Sequence, residues 1–262
     1  TATNDNSGHV RIYQYDSGND NWDKLGQDID GEAVFDKSGY SVSLSSDGTI
    51  VAIGAYLNHG TTADDAGHVR IYQYDSVNDI WNKMGQDIDG EGTDDWCGWS
   101  VSINGDGTIV AIGAPRHTSE NGHVRIYQYD SGNDIWNQLG QDIDSEGADD
   151  YFGQSVSING DGTIVAIGAY GNDSEYNNAG HVRVYQYDSG DDSWNKLGQD
   201  IDGDYAGDYF GNSVSINGDG TIVAIGAYYN DGTSTDTSHN AGHVRIYQYD
   251  SINDIWNQLG HD

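Results

Sequence analysis

In the segment VRIYQY, which follows each Gly-His pair, β-branched and aromatic residues are interleaved with Arg and Gln, the signature of a strand. A second segment surrounds a Trp, as in Trp22-Asp-Lys-Leu-Gly and Trp81-Asn-Lys-Met-Gly. A third reads SVSL or SVSI, with Val and Leu on one face and Ser on the other. The fourth, TIVAIGA (Thr49 to Ala55 in its first copy), is an unbroken apolar run that reads as buried on both faces. Asp47-Gly48, Asp106-Gly107, Asp161-Gly162 and Asp219-Gly220 join the third segment to the fourth and predict tight hairpins. Asp-Ser-x-Asn-Asp or its Asp-Asp variant joins the first to the second.

The whole pattern recurs. GHVRIYQYDS starts at Gly8, Gly67, Gly122 and Gly242, and as GHVRVYQYDS at Gly180, with successive spacings of 59, 55, 58 and 62 residues. Four antiparallel strands per unit, repeated in tandem, predict an all-β chain of β-propeller blades, in which radial repetition leaves only short protected edges. The units exceed the roughly 40–50 residues of common propeller repeats, with the surplus in loops such as 56–66 and 228–241. A β-solenoid is the competing architecture, but its coils are shorter and lack such hairpins. Composition supports a folded chain: hydrophobic residues are only 35%, which alone suggests disorder, but aromatics reach 11%. Abundant Asp and Gly disfavour helix.

Four stretches resemble the FG-GAP repeat of integrin α-chain propellers and their microbial relatives. Phe152-Gly153-Gln-Ser-Val precedes Ile167-Gly168-Ala169, and Phe210-Gly211-Asn-Ser-Val precedes Ile225-Gly226-Ala227. Weaker copies carry Ser38-Gly39 and Cys97-Gly98 at the first motif, and Ile112-Gly113-Ala114-Pro115 has the full Gly-Ala-Pro ending. The resemblance implies blades that open on the FG strand: repeat 1 over 33–91, repeat 2 over 92–146, repeat 3 over 147–204 and repeat 4 over 205–262, together one repeat domain. Residues 1–32 are then a partial repeat, the outer hairpin of a blade. The expectation is a processed product or a piece of a longer array, since propellers of this family have seven blades; alternatively the hairpin completes a fifth blade or docks on a neighbouring chain.

Acid residues recur at relative positions 1, 3, 5 and 9 before each FG glycine: Asp28, Asp30, Glu32, Asp36; Asp87, Asp89, Glu91, Asp95; Asp142, Asp144, Glu146, Asp150; Asp200, Asp202, Asp204, Asp208. Calcium takes six to eight oxygens from a flexible loop, so these four sets are the expected calcium ligands. The alternative is that the acids cap turns in the crossover between blades. The resemblance does not carry an ion site across, because integrin-type loops place similar acids between the FG and GAP strands, where this chain has only the Asp-Gly hairpin.

The histidines His9, His68, His123, His181 and His243 stand two residues before Arg11, Arg70, Arg125, Arg183 and Arg245. Once-per-blade recurrence points to structural pairing of Arg with acidic loops rather than catalysis, and Trp22, Trp81, Trp136, Trp194 and Trp256 read as inter-blade packing. Trp96 and Trp99 break the pattern and either fill a gap or form a platform for a sugar ring. Cys97 is expected to be a buried, inert thiol. Asn172-Asp-Ser174 is an N-glycosylation sequon, relevant only in a secreted protein.

With 43 Asp plus Glu against 10 Lys plus Arg, the net charge of −33 excludes a nucleic-acid or anionic-membrane partner that needs a basic stripe. No apolar run is long enough for membrane insertion. No nucleophile elbow, phosphate loop or HExxH motif selects a reaction. The copies look interchangeable, whereas catalysis needs an asymmetric cluster, so the expectation is no enzyme. The reading is a non-enzymatic extracellular or cell-surface repeat protein, structural or adhesive, stabilised by calcium or a similar cation. Its partners are further copies, joined head to tail into a filament, or a cell-surface protein or glycan. A lectin-like glycan-binding propeller is the alternative.

Overall fold

Ile50–Ala55 carries no polar side chain and is buried along its whole length, because a sheet neighbour lies on each side and an apolar layer above and below. The same environment recurs through a computed structural model that describes residues 6–59, 63–173, 177–230 and 241–260. A hairpin of β1 (His9–Asp16) and β2 (Asn21–Asp30) comes first. Blade I follows as β3 (Ser41–Leu44), β4 (Ile50–Ala55), β5 (His68–Asp75), β6 (Ile80–Lys83) and β7 (Ile88–Asp89). Blade II is β8 (Ser100–Ile103), β9 (Ile109–Ala114), β10 (His123–Asp130), β11 (Ile135–Gln138) and β12 (Ile143–Asp144). Blade III is β13 (Ser155–Ile158), β14 (Ile164–Ala169), β15 (His181–Asp188), β16 (Ser193–Lys196) and β17 (Ile201–Asp202). Blade IV is β18 (Phe210–Ile216), β19 (Ile222–Ala227), β20 (His243–Asp250) and β21 (Ile255–Leu259).

Each blade is an antiparallel meander in chain order, and β3, β8, β13 and β18 pack in series as the innermost strands. The chain is all-β and propeller-like, as the repeat implied. Two local features differ from the sequence reading. The crossover contributes a short extra strand: β7, β12 and β17 pair back onto the strand that begins with His68, His123 and His181. The Asp-Gly pair closes a longer turn, in which the Gly48 N–H donates to the Ser45 carbonyl (2.9 Å) and only glycine takes positive φ (+73°). Asp47 instead accepts from the Thr49 N–H (2.9 Å) and the Ser45 hydroxyl (2.7 Å), so its role is a side-chain lock on the turn.

Adjacent blades meet through one joint used four times. The indole N–H of Trp81, Trp136, Trp194 and Trp256 donates to the carbonyl of Leu25, Met84, Leu139 and Leu197 at 2.8–3.0 Å. The side-chain amide of Gln27, Gln86, Gln141 or Gln199 donates to the carbonyl of the same Trp and accepts from its N–H. Glycine is required beside the ring: a Cβ on Gly140, at φ +73°, would come 2.8 Å from Trp194 Cδ1. Nearer the centre, the N–H groups of Ser46, Gly105 and Gly160 donate to Gly105, Gly160 and Gly218, tying consecutive blades by their backbones at 2.8–2.9 Å.

The end faces lack this cover. Trp22 is 63% exposed, against 3% for each of the four joint tryptophans. On the opposite end Val244 is 65% exposed, whereas Val69, Val124 and Val182 at the same register are at 0%. The β1–β2 hairpin covers Val51 and Ile53 of blade I but not Val42, which stays 53% exposed because the hairpin brings no inner strands. Among the described residues no helix is long and apolar enough to cross a membrane.

Candidate functional site

The fold divides each acid set among separate partners. The first acid meets its own blade's basic residues: Asp87 with Arg70 (2.9 Å) and Lys83 (2.5 Å), Asp200 with Arg183 and Lys196 (both 2.9 Å), and Asp28 with Arg11 (2.7 Å) and Lys24. Asp142 accepts only from the Gln138 amide (2.6 Å), and among the described residues no Lys or Arg pairs with it. The third-position acids Asp30, Asp89, Asp144 and Asp202 lie in strand register opposite His9, His68, His123 and His181. The fifth-position acids reach forward to the next blade: Glu32 to Arg70, Glu91 to Arg125 (3.1 Å), Glu146 to Arg183 (2.5 Å) and Asp204 to Arg245.

The last acids, Asp36, Asp95, Asp150 and Asp208, are buried and serve their own loop; Asp36 accepts the Ala33 N–H (2.8 Å) and Asp95 the Gly92 N–H (2.6 Å). Burial works to raise the carboxyls of Asp87 and Asp200, but bonds from Arg70 with Lys83 and from Arg183 with Lys196 outweigh it and hold both near about 2. Burial pushes Asp208 up. Spacing alone could not show this division, because it depends on the Arg of the following blade.

Blade II departs from its siblings at one corner. The position 22 residues after each buried last acid is Asn58, Asn172 and Asn230 in three units and His117 in this one. The Asn172 and Asn230 amides donate to Asp150 (3.1 Å) and Asp208 (2.7 Å); His117 Nδ1 lies 3.1 Å from Asp95 Oδ2. The His117 ring stacks on His123, centroids 3.9 Å apart and planes at 14°. His123 is 1% exposed, and neither ring nitrogen has a hydrogen-bond partner. Burial, then the neighbouring His117 and Arg125, bring its pKa down to about 3. Arg125 donates to the Asp89 carbonyl (2.8 Å) and approaches Cys97 Sγ (3.8 Å). Cys97 is buried, and desolvation lifts its thiol to about 11, which leaves little thiolate at neutral pH.

Three groups bring potential metal-ligand atoms within 4.8 Å of one another: Glu91, His117 and His123; Glu32, His68 and Asp87; and His123, Asp142 and Asp144. Each joins residues from different segments of the chain. Beside the His117 corner, Thr93, Asp94, Arg116, Ser119, Glu120 and Asp149 line an open cleft of about 430 Å³. Thr118 and Ser119 turn at positive φ, and Arg116 pairs with Glu120 (2.9 Å), which accepts from the Tyr151 hydroxyl (2.7 Å).

Trp96 and Trp99 stack on each other at 5.0 Å and belong to a larger aromatic band. Tyr40 and Tyr56 pack on Trp99 (4.6 and 5.0 Å), and Arg116 lies over Trp96 at 4.4 Å. The band continues in blades III and IV as Tyr151 on Tyr170 (5.0 Å), Tyr170 on Tyr209 (5.5 Å) and Tyr209 on Tyr228 (5.7 Å). The sequence signal for it was present but unread: an aromatic residue precedes the FG position in three units and follows Gly-Ala in three. Of the sequon, Asn172 uses its amide on Asp150, and Ser174 lies outside the described residues.

Residues 140–185 and 201–247 match the FG-GAP repeat family model, so these units are FG-GAP-like. No curated protein matches the chain in sequence. Among solved structures, a periplasmic gluconolactonase of Pseudomonas aeruginosa is similar at TM-score 0.62 and 13% identity, over 99% of this chain and 66% of that one. A protein proposed as a 6-phosphogluconolactonase of Bacteroides uniformis is similar at 0.59 and 12%, over 98% and 68%, and one of Bacteroides fragilis at 0.59 and 11%, over 96% and 64%. The chain thus spans about two thirds of the length of the structures it resembles, and at these identities the likeness carries the fold.

The expectation that a chain of this kind is no enzyme is corrected by these neighbours, which are named as lactonases. The premise behind it also fails locally, since blade II is not interchangeable with its siblings at His117.

Proposed function

We propose that this FG-GAP-like propeller is a structural, adhesive repeat module of the cell surface or extracellular space that joins further copies of itself head to tail. The observation that carries this reading is the pair of unused joint halves at the two ends. Trp22 stands ready at one end, and at the other Val244, Ile246 and Leu259 form the face that the next blade covers three times within the same molecule. A head-to-tail contact of this kind is heterologous and propagates into an open filament unless its rotation closes. A net charge of −33 opposes it at low salt, so assembly belongs to ionic surroundings, where screening acts within about 8–10 Å. Calcium or a similar cation favours it further by lowering repulsion among the acid loops.

Sedimentation of three samples tests the proposal. Wild-type chains are expected to form salt-promoted polymers, more so in calcium than in sodium at equal ionic strength. Trp22→Asp alone and Val244→Asp alone stay monomeric, because each removes one half of every joint. An equimolar mixture stops at the dimer, since one intact head meets one intact tail. Wild-type chains that remain monomeric at high concentration, or a mixture that fails to dimerise, would defeat the proposal.

The aromatic band favours a second reading, a lectin-like surface. Ring faces stack on the apolar faces of sugars, and Trp96 with Trp99 presents two of them beside Arg116. Saturable binding on a glycan array that is lost in Trp99→Ala is the expected result. Binding that Trp99→Ala leaves unchanged, or turnover of sugar lactones at this face in place of retention, would displace this reading.

A further inference from the structure

We propose that His117, His123 and Glu91 form a site for one borderline divalent cation of the zinc class, with Asp95 orienting His117 from outside the ligand set. Their donor atoms already lie within 4.8 Å of one another, and sharing an ion at the ~2.0–2.2 Å bond lengths of zinc needs them to draw in by roughly 1 Å. His123 is the independent sign of a ligand. Its ring is 1% exposed and neither nitrogen is hydrogen-bonded, an arrangement that is costly in a protein interior unless something occupies a lone pair.

His117 has the arrangement common to metal-bound histidines: Nδ1 rests 3.1 Å from Asp95 Oδ2, which fixes the ring and leaves Nε2 for an ion. Arg125 engages one oxygen of Glu91 at 3.1 Å, leaving the second for coordination. Asp142 and Asp144 approach His123 within the same 4.8 Å limit, so the surroundings attract a cation despite Arg125. Two imidazoles and a carboxylate suit zinc or its first-row neighbours, whereas calcium takes oxygen alone. The two rings are stacked face to face, so capture turns the more accessible His117, whose side chain is 21% exposed, out of the stack.

The site exists in one unit only, because His117 replaces the asparagine of the other three. That makes His117→Asn a conservative test, restoring the residue the repeat uses elsewhere. Calorimetric titration of the full chain with zinc at high ionic strength is expected to show one saturable site. In His117→Asn, affinity falls by about tenfold or more, while thermal unfolding in chelator is unchanged. Cobalt should give visible d–d bands of a nitrogen-ligated site in wild type and not in the variant. Zinc binding that is only multiple, weak and salt-sensitive, or equal affinity in the variant, overturns the proposal.

Discussion

Replacing Trp194 with alanine is expected to destabilise the chain by about 3–5 kcal/mol, whereas the same change at Trp22 is expected to cost about 0.5 kcal/mol or less. The two residues occupy equivalent places in the repeat, so the comparison isolates context from residue type. Trp194 is 3% exposed, packs into the apolar layer with Ile143, Val165 and Ile167, and donates its indole N–H to the Leu139 carbonyl at 2.8 Å. Its removal forfeits the buried area, opens a cavity between two sheets and leaves that carbonyl without its donor. The Gln141 amide, which pairs with the backbone of residue 194, also loses the ring that fixes its place. Trp22 touches mainly Tyr15, at 5.4 Å between centroids, and most of its surface is already in water. Urea unfolding under conditions that keep the chain monomeric measures both; comparable losses would show that the joint does not hold the blades together.

Acid should weaken the fold in two stages, the first set by histidine. His181 is 1% exposed, and burial, then the charge of Arg183, outweigh the opposing pull of Asp200, Asp150 and Glu146 and lower its pKa from 6.5 to about 4. Between those two values the unfolded chain binds a proton that the folded chain does not. Stability is therefore full above pH 6.5 and declines as pH falls towards 4, by about 3 kcal/mol for this one residue. His68 is shifted the same way, also by burial first and then by Arg70. Asp87 and Asp200 give the second stage. Folded near about 2 and unfolded near the ordinary 3.8, they contribute stability above pH 3.8 that is lost as pH drops through 2. Unfolding free energy measured across this range should show a histidine slope well above the carboxylate range, flatter in His181→Gln. A curve that is level down to pH 4 would contradict the burial of the imidazoles.

The fold was legible because its signals are local and recur. Val42 and Leu44 set against Ser41 and Ser43, the run Ile50–Ala55, and a turn closed at Gly48 each identify their element without reference to any other. The site was less legible because its parts converge only in three dimensions. Glu32 and Asp87 sit far apart in the chain, yet both reach Arg70, and no spacing rule within one loop can reveal a partner in the next blade. His117 was hidden for another reason: its significance lies in differing from Asn58, Asn172 and Asn230, and a reading that looks for what recurs passes over the exception. The aromatic band was overlooked in the same way, since Tyr151, Tyr170 and Tyr209 belong to different motifs and meet only across blade boundaries.

The backbone links from Ser46 through Gly105 and Gly160 to Gly218 give each interior blade a clasp on both sides, while the outermost blade has one. Under a stretching load the array should therefore part from its ends inward, one sheet at a time at nearly equal tension, because every interior seam is built from the same bolts. A strand of such modules would behave as a shock absorber, yielding in discrete steps and re-forming each seam when slack returns.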